Sequence, residues 1–512
     1  MRVAFYDCGS GNLGIQYLLA ITRAQGHEPL LYFDQSFSKD HMLQDVMLRD
    51  LFSLAPERVS EGILAMSPDI VCFSMYSYLY KRNLELVRAV KRARPGIIII
   101  CGGMHPTLLP EVVLRNPEID FAVRGEAEIS YAQLLGLLAA KPVDEVKAMP
   151  VDALPGICNV LNGITVDRGI SPLTRNLDQV IFPEKGLHHE ANPVLKTMYT
   201  VMASRGCFSG CTYCNSATLN RMYRGCHESY YRYRSVDNVM QELLLAKQTH
   251  APRYFEFYDD VFGANRTWLR EFCARYKAEI GLPYGVQTSP VINNEESLDL
   301  LTDSGCVALE FGFQTANEEM RRHCLNRRES TEVVRRLVRY ARKRGLFVEL
   351  DLIVNLPGET RAHVQESRDF VMDTRPHLVN LGFLQYFPRT PITDMALQQG
   401  LLTQEDIRQI EEGERVNAMR HLSRAEVGAE YCVVPFQMYF ASRFPRPLAR
   451  IMIHVVEWPV VRSLSSFFAP GLLYLSRMLS GLTDRRDFFH RHQLARTFRA
   501  VRWVIRHKCL GR

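Results

Sequence analysis

The carboxyl-terminal tail has no apolar run long enough to cross a membrane. Its longest uncharged run, residues 463–476, falls short of the ~20 residues a spanning helix needs. The amino terminus, MRVAFYD, has no apolar h-region of a secretory signal and reads directly as a strand, which predicts a reducing, cytoplasmic location. Regularly spaced cysteines are also missing. Thirteen scattered through 512 residues do not make a disulfide scaffold, and most, such as Cys72 and Cys306, sit in apolar runs and read as core. A complete dinucleotide fingerprint is absent as well: Gly9-Ser10-Gly11 has no third glycine in register, which argues against nicotinamide binding.

What is present describes a folded chain of two or three domains, with 47% hydrophobic and 23% charged residues. Its net charge of +6 is unevenly placed: residues 443–512 hold fourteen Lys/Arg against Glu457, Asp484 and Asp487, a local +11 that leaves −5 for the remainder. Residues 1–140 alternate β-branched runs (Val3–Tyr6, Asp69–Ser74, Ile97–Ile100, Phe121–Val123) with amphipathic helices, the pattern of a doubly wound, Rossmann-like α/β domain. Residues 141–196, rich in Pro and Gly, read as a linker with a small hairpin at Ile157–Val166. Residues 197–425 repeat strand then helix, at 200–204, 254–258, 284–288, 308–314, 348–354 and 379–386. Six βα units suit a partial (β/α)6 barrel with its polar groups at the strand ends. Residues 426–512 form a basic, aromatic helical region.

Between the first two of these barrel strands lies Cys207-Phe208-Ser209-Gly210-Cys211-Thr212-Tyr213-Cys214. Soft thiolates suit iron–sulfur clusters or zinc. Zinc needs a fourth ligand, for which Cys226 or His227 is available. A 4Fe–4S cluster is ordinarily held by four cysteines, so three would leave one iron open to another ligand.

Ser204-Arg205-Gly206-Cys207 followed by Cys211-Thr212-Tyr213-Cys214 resembles the signature of radical S-adenosylmethionine (SAM) enzymes. The resemblance implies that Cys207, Cys211 and Cys214 hold a 4Fe–4S cluster whose fourth iron binds SAM, and that Tyr213 packs against the adenine. It also implies a SAM or substrate contact at Asp259 and Asp260, a ribose contact at Gln314, a weaker strand-end role for Gln287, and backbone near the adenine at Leu356-Pro357-Gly358-Glu359. Glu359 itself reads as a first-turn helix acid.

Upstream, Ser74, Cys101-Gly102-Gly103-Met104-His105 and Arg124-Gly125-Glu126 look like the amino-terminal domain of cobalamin-dependent radical SAM enzymes, with Ser74, Gly102, Gly103 and Glu126 as cofactor contacts. Paired glycines let a flat nucleotide tail lie against bare backbone. The Asp-x-His-x-x-Gly motif that supplies a cobalt ligand elsewhere is absent, so the expectation is a detached base with no protein histidine in its place. The implied activity is a methyltransferase acting on an unactivated carbon through a 5′-deoxyadenosyl radical and methylcobalamin. No catalytic acid or base is assigned. The alternatives are a radical cyclase, oxidase or rearrangement enzyme, or a non-catalytic metal-binding protein. Expected partners are a small, hydrophobic substrate and an electron donor such as flavodoxin or ferredoxin. The tail reads as a helical cap over the open side of the barrel or as a peripheral membrane contact through residues 440–512, rather than as a nucleic-acid site.

Overall fold

The computed structural model describes residues 1–9, 11–35, 53–225, 229–414, 433–459, 480 and 482–509. Ser10, Cys226, His227 and the run 463–476 lie outside the described residues.

The first sheet is built on β1 (Arg2–Cys8), buried at every position after its first because it lies between strands and is covered on both faces. β2 (Glu28–Asp34), β3 (Ile70–Ser74), β4 (Ile98–Gly102) and β5 (Phe121–Val123) complete a parallel set, and the sheet order is β2-β1-β3-β4-β5-β6-β7. Because the chain turns to opposite sides after β1 and after β2, a crevice opens at the carboxyl ends of β1 and β3. The hairpin expected inside residues 141–196 forms as β6 (Ile157–Leu161) and β7 (Ile164–Val166), and it pairs antiparallel with β5. That segment is therefore more than a connection: the first sheet runs on through it.

The second sheet has the order β15-β14-β13-β12-β11-β8, parallel throughout: β8 (Met198–Val201), β11 (Tyr254–Phe257), β12 (Tyr284–Thr288), β13 (Cys306–Gln314), β14 (Phe347–Val354) and β15 (Leu378–Phe383). Its edges, β8 and β15, do not pair with each other, so the barrel is partial. Period-2 alternation sorts the side chains. Phe255, Phe257, Leu309, Phe311, Val348 and Leu350 enter the core beneath the helices. Glu256, Gln287, Glu310, Glu349, Asp351 and Asn380 alternate with them and face the lumen. Gln287 Nε2 donates to Glu310 Oε2 at 3.0 Å and Asn380 Nδ2 to Asp351 Oδ1 at 2.9 Å. A short antiparallel pair, β9 (Ser204–Arg205) and β10 (Arg232–Tyr233), leads out of β8.

The carboxyl-terminal region is helical where it is described. The helix Val434–Arg443 adds Val434, Met438 and Ala441 to the barrel's outer core, and the helix Arg446–Val456 packs on it through Ile453. The helix Phe488–Cys509 starts beneath the barrel. Phe488 stacks on Tyr254 with ring centroids 4.6 Å apart, Arg486 Nη1 donates to the Gly345 carbonyl at 2.8 Å, and His492 Nδ1 lies 3.4 Å from Thr197 Oγ1. Each of these partners begins or precedes a barrel strand, so this segment lies against the amino end of the barrel, while the helix Val434–Arg443 packs on the edge strand β15. The same helix then reaches the first domain, where Arg499 meets Gln35 at 3.3 Å and Trp503 packs on the sheet core.

Candidate active site

Three thiols project from the loop between β9 and the helix Asn215–Arg224. Cys207 Sγ accepts from the Ser209 amide at 3.3 Å, and the Cys207 carbonyl is held by Asn220 Nδ2 at 3.0 Å. Cys214 occupies the N-cap of the helix, with its amide on the Cys211 carbonyl at 3.3 Å. No disulfide joins them. Burial pushes all three thiols up, Cys214 to about 11, and the neighbouring charges of Asp260 and Cys211 add to the rise at Cys214. Thiols in that state need a cationic centre to become thiolates.

The spacing tests which centre fits. Sulfurs sharing one zinc at ~2.3 Å would all lie within about 4.6 Å of one another. Among the described residues, the His, Cys, Asp and Glu atoms that approach within 4.8 Å as a set of three are those of Glu310, Glu349 and Asp351, not the cysteines. At least one pair of the three sulfurs is therefore farther apart than one zinc would hold, a separation that a polynuclear cluster can bridge.

The neighbours of this loop come from distant segments. Asp259, fully buried, accepts from the Ala203 amide at 3.1 Å and from the Ser204 amide and hydroxyl, each at 2.5 Å. Burial lifts its carboxyl to about 6 against the pull of those donors. It braces the exit of the cysteine strand, with its side chain closed to solvent. Asp260 accepts from Ser216 Oγ at 2.7 Å and opens to solvent close to Cys207 and Cys214. Tyr213 packs with Leu325, Leu356 and Leu384, which brings the residue before the third cysteine and the end of β14 into one apolar wall. Glu359 differs from its expected helix role: its carboxylate accepts from the Asn355 amide at 2.6 Å and closes the turn ahead of the N-cap Thr360. Gln314 ends β13 at a bulge, with φ of +74°. Gln287 lies inside the lumen on Glu310.

Sequence reasoning missed Arg327. Its guanidinium lies 3.3 Å from Tyr213 Oη and 3.9 Å from Cys211 Sγ, donates to the Gly312 carbonyl at 2.6 Å and pairs with Glu329 at 2.6 Å. Nothing in its local sequence separates it from Arg328, and only the fold brings it across 116 residues to Cys211.

The second feature is a cavity of about 350 Å³ at the carboxyl ends of β1, β3, β4 and β5. Ser74, Gly102, Gly103 and Glu126 line it, and Met202, Arg205 and Tyr230 of the second domain complete its wall. Gly103 has φ of +100°, and a Cβ there would stand 2.9 Å from the Met75 carbonyl oxygen. Ser74 Oγ accepts from Asn12 Nδ2 at 3.1 Å. Glu126 is both wall and clasp: its carboxylate pairs with Arg205 at 3.2 Å and with Arg232, while Glu128 takes Arg205 at 2.6 Å. These pairs tie the first domain to the cysteine strand. No histidine is among the described residues that line it. His105 is fully buried elsewhere, stacked on Tyr80 with its Nδ1 3.1 Å from Ser77 Oγ. A bare-backbone floor with apolar walls fits a flat nucleotide tail.

Comparison with known families places a B12 binding domain at residues 10–135 and the radical SAM superfamily at residues 201–371. The chain is 24% identical over 81% of its length to an uncharacterized methyltransferase of Pyrococcus horikoshii, covering 84% of that protein. It is 25% identical over 78% of its length to the anaerobic magnesium-protoporphyrin IX monomethyl ester cyclase of Rubrivivax gelatinosus, covering 70% of it. The fold resembles that of OxsB, a cobalamin-dependent SAM radical enzyme solved with aqua-cobalamin and SAM, at a TM-score of 0.64 and 15% identity, over 97% of this chain and 75% of that one.

Proposed function

From a chain that joins a B12 binding domain to a radical SAM domain, we propose a cobalamin-dependent radical SAM methyltransferase that acts on an unactivated carbon of a small, hydrophobic molecule. The observation that carries this reading is the shared wall: one cavity takes Ser74, Gly102 and Gly103 from the first domain, Met202 and Arg205 from the stretch that leads to the cysteines, and Tyr230 from the segment that returns ahead of β10. When bound, the 4Fe–4S cluster with SAM supplies a 5′-deoxyadenosyl radical, and cobalamin supplies the methyl group.

The chain's own share is positioning. Cys207, Cys211 and Cys214 would hold the cluster. Arg327 offers a fixed cation beside Cys211 and Tyr213, suited to a carboxylate. Tyr213 and Leu356 offer an apolar wall for an adenine, with Gln314 at the neighbouring strand end as a hydroxyl partner. Asp260 has a carboxylate open toward the same space, whereas Asp259 and Gln287 act through other protein groups. An electron donor such as flavodoxin or ferredoxin, a cytoplasmic setting and peripheral membrane contact through residues 440–512 complete the proposal.

Similarity to the Rubrivivax cyclase supports a second reading, radical ring formation without methyl transfer. Anaerobic reconstitution with SAM, cobalamin, a reductant and candidate substrates separates the two. Deoxyadenosine together with S-adenosylhomocysteine is expected. Deoxyadenosine alone indicates the cyclase-type outcome, and neither product together with absent iron indicates a non-catalytic protein.

A further inference from the structure

The helix Arg446–Val456 has two apolar faces, and the fold uses one. Ala449, Ile453 and Val456 are buried, Ile453 within the barrel's outer core. Leu448, Ile451, Val455 and Trp458 follow at spacings of three, four and three, which places them on a single opposite stripe. They are 44, 62, 36 and 54% exposed, Trp458 standing in the turn just past the helix end. Large apolar side chains in a contiguous exposed row mark an interaction surface, whereas scattered ones do not.

The surroundings indicate the partner. Arg446, Arg450 and His454 are exposed along the shoulder of the stripe, and the helix itself contains no acid. Beside it runs an open groove of about 540 Å³ bordered by Arg368, Arg446, Arg450 and His454, where its three acids, Asp369, Asp373 and Glu457, are engaged by Arg368, Arg446 and Arg361. The whole region 443–512 carries +11. Among the described residues, no helix is long and apolar enough to cross a membrane. An apolar row with an interfacial tryptophan, flanked by cations and too short to span, matches a surface lying in the headgroup layer of an anionic bilayer.

We propose that the Leu448–Ile451–Val455–Trp458 face docks this protein on the surface of a membrane containing anionic lipid. The inference rests on the membrane contact proposed above for residues 440–512 and assigns it to one helix face. It does not depend on the chemistry at the cysteine loop. Docking here would hold the barrel against the phase in which a hydrophobic substrate dissolves.

The test uses the full chain, prepared anaerobically, and phosphatidylcholine vesicles with and without phosphatidylglycerol. Co-sedimentation with the anionic vesicles is expected, weakening with added salt and with neutral vesicles. The double variant Ile451→Ser/Trp458→Ser should bind at least about tenfold more weakly. Unchanged melting temperature and iron content in that variant show that it is folded. Equal binding of variant and wild type would overturn the assignment to this face while leaving the broader membrane contact standing. No binding of the wild type would overturn both. A dimer of the wild type that the variant dissociates, without vesicle binding, would instead identify the face as an interface between two copies of this chain.

Discussion

The cysteine loop and the glycine cavity lie on either side of the same strand exit, yet they are made in opposite ways. The loop is defined by what its side chains offer: three sulfurs, with Cys207 set by the Ser209 amide and Cys211 by Arg327. The cavity is defined by what is missing from its floor, where Gly102 and Gly103 leave backbone bare and the polar residues around it serve mainly to hold the two domains together. A site built from donors fails abruptly when one donor is lost. A site built from empty space fails in proportion to what is put into it.

The largest expected effect tests the first half of that contrast. Replacing Cys207, Cys211 or Cys214 by Ala should abolish iron loading and reduce deoxyadenosine formation by more than about 100-fold, measured by iron and sulfide content and by chromatography. Cobalamin retention should survive. If cobalamin is lost as well, the two sites are not independent.

Next is Asp259→Ala, which leaves the buried Ala203 and Ser204 donors without an acceptor. A loss of roughly 2–4 kcal/mol is expected, with lower cluster occupancy, read by denaturant unfolding and iron content.

The glycines sharpen the other half. Gly103→Ala forces an L-residue into a φ of +100° against the Met75 backbone, so ~1–3 kcal/mol of stability should go. Gly102→Ala is different, because its Cβ would meet nothing closer than Val123 at 3.8 Å. That variant should fold normally and yet retain cobalamin about tenfold more weakly after gel filtration, since a methyl group lines the cavity floor. Equal retention would remove the floor from the cofactor site.

The smallest effect lies deep in the barrel. Burial, with Glu310 nearby, pushes the Glu256 carboxyl up to about 8. The folded chain therefore binds this proton more tightly than the unfolded chain, whose carboxyl titrates near 4.5. The stability it contributes is full below about 4.5 and is lost as pH rises through about 8. Glu256→Gln cannot titrate, so its melting temperature should exceed that of the wild type by a few degrees at pH 8.5 and converge with it at pH 4.5.

The same contrast explains what was legible in the sequence. Buried parallel strands announce themselves by apolar runs, unbroken in β5 and alternating with polar lumen residues in β12, and both fall where their sequences place them. β2 does not: it is an edge strand with Pro29 in it and several half-exposed positions, so its run looks interrupted. The cysteines share one short loop, and spacing alone brings them together. Arg327, Arg232 and Arg205 gain their significance from partners 79 to 116 residues away, and no local pattern carries that. Asp259 illustrates a further limit. An acid at a strand end is easily read as a contact for a ligand, but three backbone and hydroxyl donors from the neighbouring strand exit claim it first. The tail is helical where it is described, as its sequence predicts. Its seat beneath the barrel depends on Phe488 finding Tyr254, a pairing between residues 234 positions apart.

That seat also makes one rod answer to both domains. The helix that begins with Phe488 under Tyr254 goes on to set Arg499 against Gln35 and Trp503 against the first sheet, so any hinge between the two sheets would have to bend this helix or strip one of its ends.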